Sequence, residues 1–238
     1  MKTEWRLTWH GHATWSVDGP DARLLIDPFL DANPAAKSKG AVMAPSHMLI
    51  SHGHADHVAD AASIAARTGC QVLANFEIAS WLSKHHGVQN SIGMNHGGSF
   101  NADFFRATLV PAIHSSSLPD GSYGGTAGGW VIELPTAGPR PYRLYFAGDT
   151  CVFGDMRWIA RRGIDGFIVP IGDLFTMGPE DSLEAIDLVQ PTIVFPSHYN
   201  TWPPIAQDVQ AWAASVRERT GAQPIVPQVD QPIVLELP

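Results

Sequence analysis

Charge is scarce in this chain of 238 residues. Asp, Glu, Lys and Arg make up 16% of it, well below the usual figure of about 25%. The 15 basic residues, only four of them lysine, face 23 acidic ones, for a net charge of −8. That balance excludes a broad basic face for a phosphate backbone, so nucleic acid is not the expected partner. No run approaches 18 uninterrupted apolar residues, so no membrane-spanning helix is expected. Residues Met1–Trp5 carry no apolar leader segment, and a cytoplasmic setting is expected. Cysteine is nearly absent. Cys70 and Cys151 are the only two, and they read as free thiols of a reducing compartment. No Cys-x-x-Cys, low-complexity segment, linker or short repeat interrupts the pattern, so a single domain over 1–238 is expected.

Ordinary apolar content (45%) remains, divided into short β-prone runs and helical stretches. Strands are expected at Trp5–Trp9, Ala13–Val17, Arg23–Ile26, Met48–Ile50, Gln71–Ala74, Phe104–Ile113, Gly129–Leu134, Tyr142–Phe146, Gly166–Pro170, Thr192–Phe195 and Ile233–Leu237. Helices are expected at Val58–Arg67, Phe76–His86 ending at Gly87, Asp155–Arg162, Pro179–Val189 and Ile205–Arg219. Pro179 followed by Glu180 and Asp181 is a strong helix start. Mixed strands and helices, with a meander in front, indicate an α/β class.

The segment His52-Gly53-His54-Ala55-Asp56-His57 puts four metal-ligand side chains within six residues, directly after the apolar Met48–Ile50. Imidazole with carboxylate suits Zn, Mn or Fe. His52 and His54 are two apart and share a side of an extended segment, while Asp56 and His57 open the next helix. Other apolar runs end the same way: Leu24–Ile26 in Asp27, Leu109–Ile113 in His114, Leu144–Gly148 in Asp149, Ile168–Gly172 in Asp173 and Ile193–Ser197 in His198. In layered α/β folds ligands bind beyond the carboxyl ends of strands. One such residue marks a strand end; several together imply a metal site.

His52-x-His54-x-Asp56-His57 followed by His114, Asp149 and His198 resembles the metallo-β-lactamase superfamily. Trp9-His10-Gly11-His12-Ala13, Asp27-Pro28-Phe29, Asn95-His96-Gly97-Gly98, Ala147-Gly148-Asp149-Thr150 and Phe175–Asp181 resemble its small metal-dependent hydrolases related to L-ascorbate-6-phosphate lactonase. The resemblance implies a four-layer αβ/βα sandwich, with two facing mixed β-sheets, helices outside and metals at one edge. It implies two divalent cations, zinc first and Mn, Fe or Ni as alternatives. His52, His54 and His114 would hold one, Asp56, His57 and His198 the other, and Asp149 would bridge them. A bridging hydroxide would attack a small ester, lactone or phosphorylated metabolite. A phosphodiesterase or nuclease and a non-catalytic metal-binding module are the rival readings, and self-association into a homo-oligomer is left open.

Around this set, Asp27 is expected to accept a proton from a ligand imidazole and fix its tautomer. Asp56, His12 and Asp173 are the candidate catalytic groups. His12 would act as acid or hydrogen-bond donor. Asp173 would protonate a leaving group or contact substrate, against a plain capping role. His10 and His96, the latter standing where that subfamily has an apolar residue, could line the pocket mouth or face solvent. Thr176, Met177 and Trp202 are expected at the pocket. Cys151 is expected as a small buried hydrophobe, and Gly121–Gly129 as a covering loop or a turn.

Overall fold

The computed structural model describes residues 4–235. Seven strands form the first sheet: β1 (Arg6–Trp9), β2 (Trp15–Asp18), β3 (Arg23–Ile26), β4 (His47–Leu49), β5 (Gln71–Asn75), β6 (Ser91–Met94) and the late β14 (Pro232–Val234). Their order is β14-β1-β2-β3-β4-β5-β6. The second sheet contains β7 (Ser99–Asn101), β8 (Arg106–Pro111), β9 (Gly128–Leu134), β10 (Tyr142–Phe146), β11 (Gly166–Pro170), β12 (Ile193–Ser197) and β13 (Gln223–Pro224), ordered β13-β12-β11-β10-β9-β8-β7. Each sheet is antiparallel in its meander half (β14 to β3, and β7 to β10) and parallel in the other. This is the expected α/β sandwich.

The pairing explains why the site forms. β1 and β3 both run antiparallel to β2, so they share a direction, and β4 runs parallel to β3. In the second sheet β8 and β10 both oppose β9, and β11 and β12 run parallel to β10. Seven carboxyl ends therefore emerge as two sets, one from each sheet. β11 and β12 are buried at every position, as expected of strands covered on both faces.

Between the sheets lies an aromatic core. Trp15 and Phe195 rings are 6.1 Å apart, and the indole N–H groups cross the gap, Trp15 to Ser197 Oγ (3.1 Å) and Trp5 to the Pro135 carbonyl (3.1 Å). A second cluster (Met48, Ile50, Val72, Ile64, Ile78, Leu82) seals α2 (Ala61–Thr68) and α3 (Phe76–His86) to the outside of the first sheet. α5 (Pro179–Val189) packs on β11 and α6 (Val209–Arg219) on β13, with α4 (Met156–Ala160) against α5.

Several boundaries differ from expectation. The helix expected over Val58–Arg67 is two helices, α1 (Ala55–Val58) and α2, parted at Asp60. Asp60 Oδ2 accepts from Leu30 N (2.6 Å) and Asp31 N (3.1 Å), tying the loop after β3 to the helix break. The helix expected from Ile205 begins at Val209, where Asp208 accepts from the amides of Gln210 and Ala211, and Pro203–Ile205 form one 3₁₀ turn. The final strand ends at Val234; the remainder of the expected run, 236–237, lies outside the described residues. Cys70 is buried, but Cys151 is exposed rather than a buried hydrophobe, and the two are not bonded to each other.

Candidate metal centre

Asp149 Oδ2 sits among four imidazoles. It lies 3.0 Å from His198 Nε2, 3.3 Å from His57 Nε2, 3.7 Å from His114 Nε2 and 3.9 Å from His52 Nε2. Asp149, His198, His114 and His52 follow β10, β12, β8 and β4, and His57 lies in α1, so both sheets converge on one carboxylate. Two groups with cation-binding geometry flank it: His52, His54 and His114 on one side, and His12, Asp56, His57 and His198 on the other.

Backbone geometry aims these groups. Gly148 has φ +65°, and a Cβ there would meet the Gly128 carbonyl. Gly172 allows β11's end to pass against the His198 carbonyl, where any side chain would collide. His12 (φ +53°), Asp27 (+45°), Asp173 (+63°), Leu174 (+33°), His198 (+54°) and Asn200 (+57°) all occupy the left-handed region on the loops of this edge. For non-glycine residues this costs on the order of 1–3 kcal/mol each and persists only where the surroundings enforce it.

The electrostatics follow from burial. Desolvation pushes the Asp149 carboxyl up, yet His198 and His57 outweigh it and hold it well below the carboxylate range. His52 is driven well below the usual imidazole value by burial and by His57. Burial also lowers His57, but the Asp149 and Asp27 carboxylates overcome this and raise it well above normal. Asp149 Oδ1 and His57 Nε2 are buried without a hydrogen-bond partner. Such orphaned groups cost about 1–3 kcal/mol each. A carboxylate oxygen and an imidazole nitrogen left unpartnered beside further imidazoles are a donor set that fits divalent cations.

Around the cluster, Asp27 takes the expected position: Oδ2 accepts from His57 Nδ1 (2.8 Å) and Ser51 Oγ (2.5 Å), and Oδ1 accepts from Ser51 N (2.7 Å). Ser51 Oγ also contacts His52 Nδ1 (3.0 Å). His12 bridges Thr201 Oγ1 (2.8 Å) and Asp56 Oδ2 (3.0 Å). Burial and the neighbouring His198 lower His12 to about 4, so it is neutral at pH 7. The Trp202 ring stands 5.0 Å from His12, beside the cluster as expected. Ser51 and Thr201 were not foreseen: a serine or threonine near a strand end carries no pattern of its own.

Other candidates take local partners. His10 belongs to a different face, with Nδ1 2.5 Å from Asp230 Oδ1 and Nε2 3.0 Å from Ser16 Oγ. His96 Nε2 bonds the Ala127 carbonyl (2.9 Å), joining a turn to the start of β9. Asp173 is exposed and its carboxylate accepts from Leu174 N (2.9 Å) in its own turn. Met177 is buried in the core. The segment after His114 wraps beside His54, with Ser115 Oγ 3.3 Å from His54 Nε2 and Ser117 bridged to Tyr123.

The family profile described as Beta-lactamase superfamily domain matches residues 22–199. A UPF0173 metal-dependent hydrolase of Thermus thermophilus is 45% identical over 210 residues, covering 88% of this chain and 90% of the relative. One of Deinococcus radiodurans is 45% identical over 201 residues, 83% and 86% respectively. Among solved structures, Igni18, a metallo hydrolase from the archaeon Ignicoccus hospitalis, superposes with a TM-score of 0.87 at 30% identity, covering 98% of this chain and 99% of its own.

Proposed function

The chain belongs to the beta-lactamase superfamily domain family and, within it, to the UPF0173 metal-dependent hydrolases, and from that premise we propose a hydrolase built on two divalent cations. His52, His54 and His114 would hold one, Asp56, His57 and His198 the other, and Asp149 would serve both. Zinc suits this nitrogen-rich set best. The observation that carries the reading is the single Asp149 oxygen within 4 Å of imidazoles from both groups.

When bound, such a pair supplies a nucleophile from water near neutral pH and neutralises charge developing on the attacked group. The chain's own residues prepare the site. Asp27 holds the His57 Nδ1 proton, leaving Nε2 free to face Asp149. His12 fixes the Asp56 carboxylate. Trp202 and Phe29 close the side behind His12. An ester or lactone carbonyl, or a phosphoryl centre, is the group attacked.

Metal content and turnover of p-nitrophenyl acetate test the reading together. The wild-type protein is expected to bind two equivalents, and Asp149→Asn to lose both metal and at least a hundredfold in kcat/KM. Two equivalents retained by that variant with unchanged turnover would remove Asp149 from its place. A wild-type protein that binds no divalent metal would end the proposal.

A further inference from the structure

Among the loops that surround the centre, residues 10–14, 51–57, 112–127, 147–156, 171–178 and 198–208 contain no lysine or arginine, and the loop 27–46 between β3 and β4 contains Lys37 and Lys39. Lys39 is spent on backbone, its Nζ donating to the carbonyls of Leu30 and Asp31, as is Arg157, just past another of these loops, whose Nε donates to the carbonyl of Gly154. Lys37 is exposed and makes no hydrogen bond or ion pair among the described residues.

The same loops expose large apolar side chains: Ile113 (55%), Tyr123 (67%), Leu174 (66%) and Phe175 (53%). They are tied to the centre by backbone. Ile113 precedes His114, and its N–H donates to Thr150 Oγ1 (3.0 Å), one residue past Asp149. The Thr150 carbonyl accepts from Met177 N (2.9 Å), drawing the loop that carries Leu174 and Phe175 to the same flank. Two successive left-handed residues, Asp173 and Leu174, turn that loop back on itself. Tyr123 lies in the segment that follows His114 and passes beside His54.

We propose that the centre acts on an uncharged acyl substrate with an apolar chain, an ester or lactone whose hydrocarbon part packs on Ile113, Tyr123, Leu174 and Phe175, in preference to a phosphorylated metabolite. This rests on the hydrolase reading above and narrows its substrate. A phosphate group brings two negative charges that proteins ordinarily meet with Arg, Lys or a helix N-terminus. Here the surrounding loops leave only Lys37 unspent, and the chain as a whole is acidic. Exposed apolar groups on loops beside a reactive centre are instead suited to hydrocarbon. Each methylene they bury gains about fourfold in affinity.

The metal-loaded protein would be assayed with p-nitrophenyl acetate, butyrate and octanoate, and with p-nitrophenyl phosphate. The kcat/KM is expected to rise at least tenfold from acetate to octanoate and to exceed that for the phosphate. The double variant Leu174→Ala/Phe175→Ala should erase the chain-length gradient. Val42→Ala, at an exposed apolar residue outside the proposed patch, should leave the gradient and the acetate turnover intact. A flat chain-length profile, or a phosphate preference that collapses in Lys37→Ala, would overturn the proposal while leaving the hydrolase reading standing. Calorimetry with octanoate and butyrate separates the two ideas should no ester turn over. Tighter octanoate binding that disappears in the double variant supports the apolar site by itself, and equal binding of the two acids rejects it.

Discussion

His12 Nε2 lies 3.0 Å from Asp56 Oδ2, and His12 Nδ1 lies 2.8 Å from Thr201 Oγ1. A neutral imidazole has one donor and one acceptor nitrogen. With Nε2–H on the carboxylate, Nδ1 accepts from the Thr201 hydroxyl, and His12 becomes a brace for Asp56. His12→Ala and Thr201→Val should therefore weaken the second cation about 10- to 100-fold and spare the first. Chelator competition followed by metal counting reads this directly. If His12→Ala still binds two equivalents with wild-type affinity, the brace is not functional.

Asp27 receives three donors from Ser51 and His57 without solvent access. Removing it leaves His57 Nδ1–H and Ser51 N–H buried and unmatched. Asp27→Ala should cost roughly 3–5 kcal/mol of stability, as loss of one partner of a buried pair does, and also lower metal affinity. Denaturant unfolding of the metal-free protein measures the first effect. A change below about 1 kcal/mol would show that the surrounding loop relaxes to satisfy those groups.

His10 makes the opposite prediction. It ties β1 to Asp230, whose amide also bonds the Trp9 carbonyl (2.8 Å), and Ser38 Oγ donates to the other Asp230 oxygen (2.8 Å). His10→Ala should lower stability by about 1–3 kcal/mol with kcat/KM and metal content unchanged. A selective loss of kcat/KM would move His10 into the active centre.

Buried tyrosines set an alkaline limit. Burial pushes the Tyr199 hydroxyl up to about 12 and raises Tyr145 further. Because the folded values exceed the unfolded value of about 10, the folded state keeps its full advantage below pH 10 and loses it as pH climbs toward 12. The melting temperature should fall steadily across pH 10–12, with tyrosinate absorbance at 295 nm appearing together with unfolding. Tyrosinate that titrates near pH 10 in the still-folded protein would contradict this.

Strand-end logic gathers His52, His114, Asp149 and His198, because each follows an apolar run long enough to mark a strand, and the spacing from His52 adds His54; the same logic selects Asp173, whose carboxylate bonds its own turn. The short strands β6, β7 and β13 escaped it. They hold only two to four residues at the sheet edges, where alternation has no room to show and pairing supplies what propensity does not. The break between α1 and α2 escaped it too, since Asp60 stops that helix by bonding amides thirty residues away.

His10 and His12 show where local reading ends. Both flank Gly11 on the same turn, and nothing in residues 9–13 separates them. The left-handed backbone at His12, held by Trp9 Nε1, His198 N and Ser197 Oγ on its carbonyl, turns one ring toward Asp56. The amino-acid order by itself determined the layered class, the cluster of ligand-type residues and the scarcity of positive charge around them, because these depend on residue type and short-range spacing. Which histidine braces, which merely staples, and how four imidazoles meet one carboxylate oxygen were decided only when two sheets closed on each other, since those distances are set by contacts between segments as much as 220 residues apart.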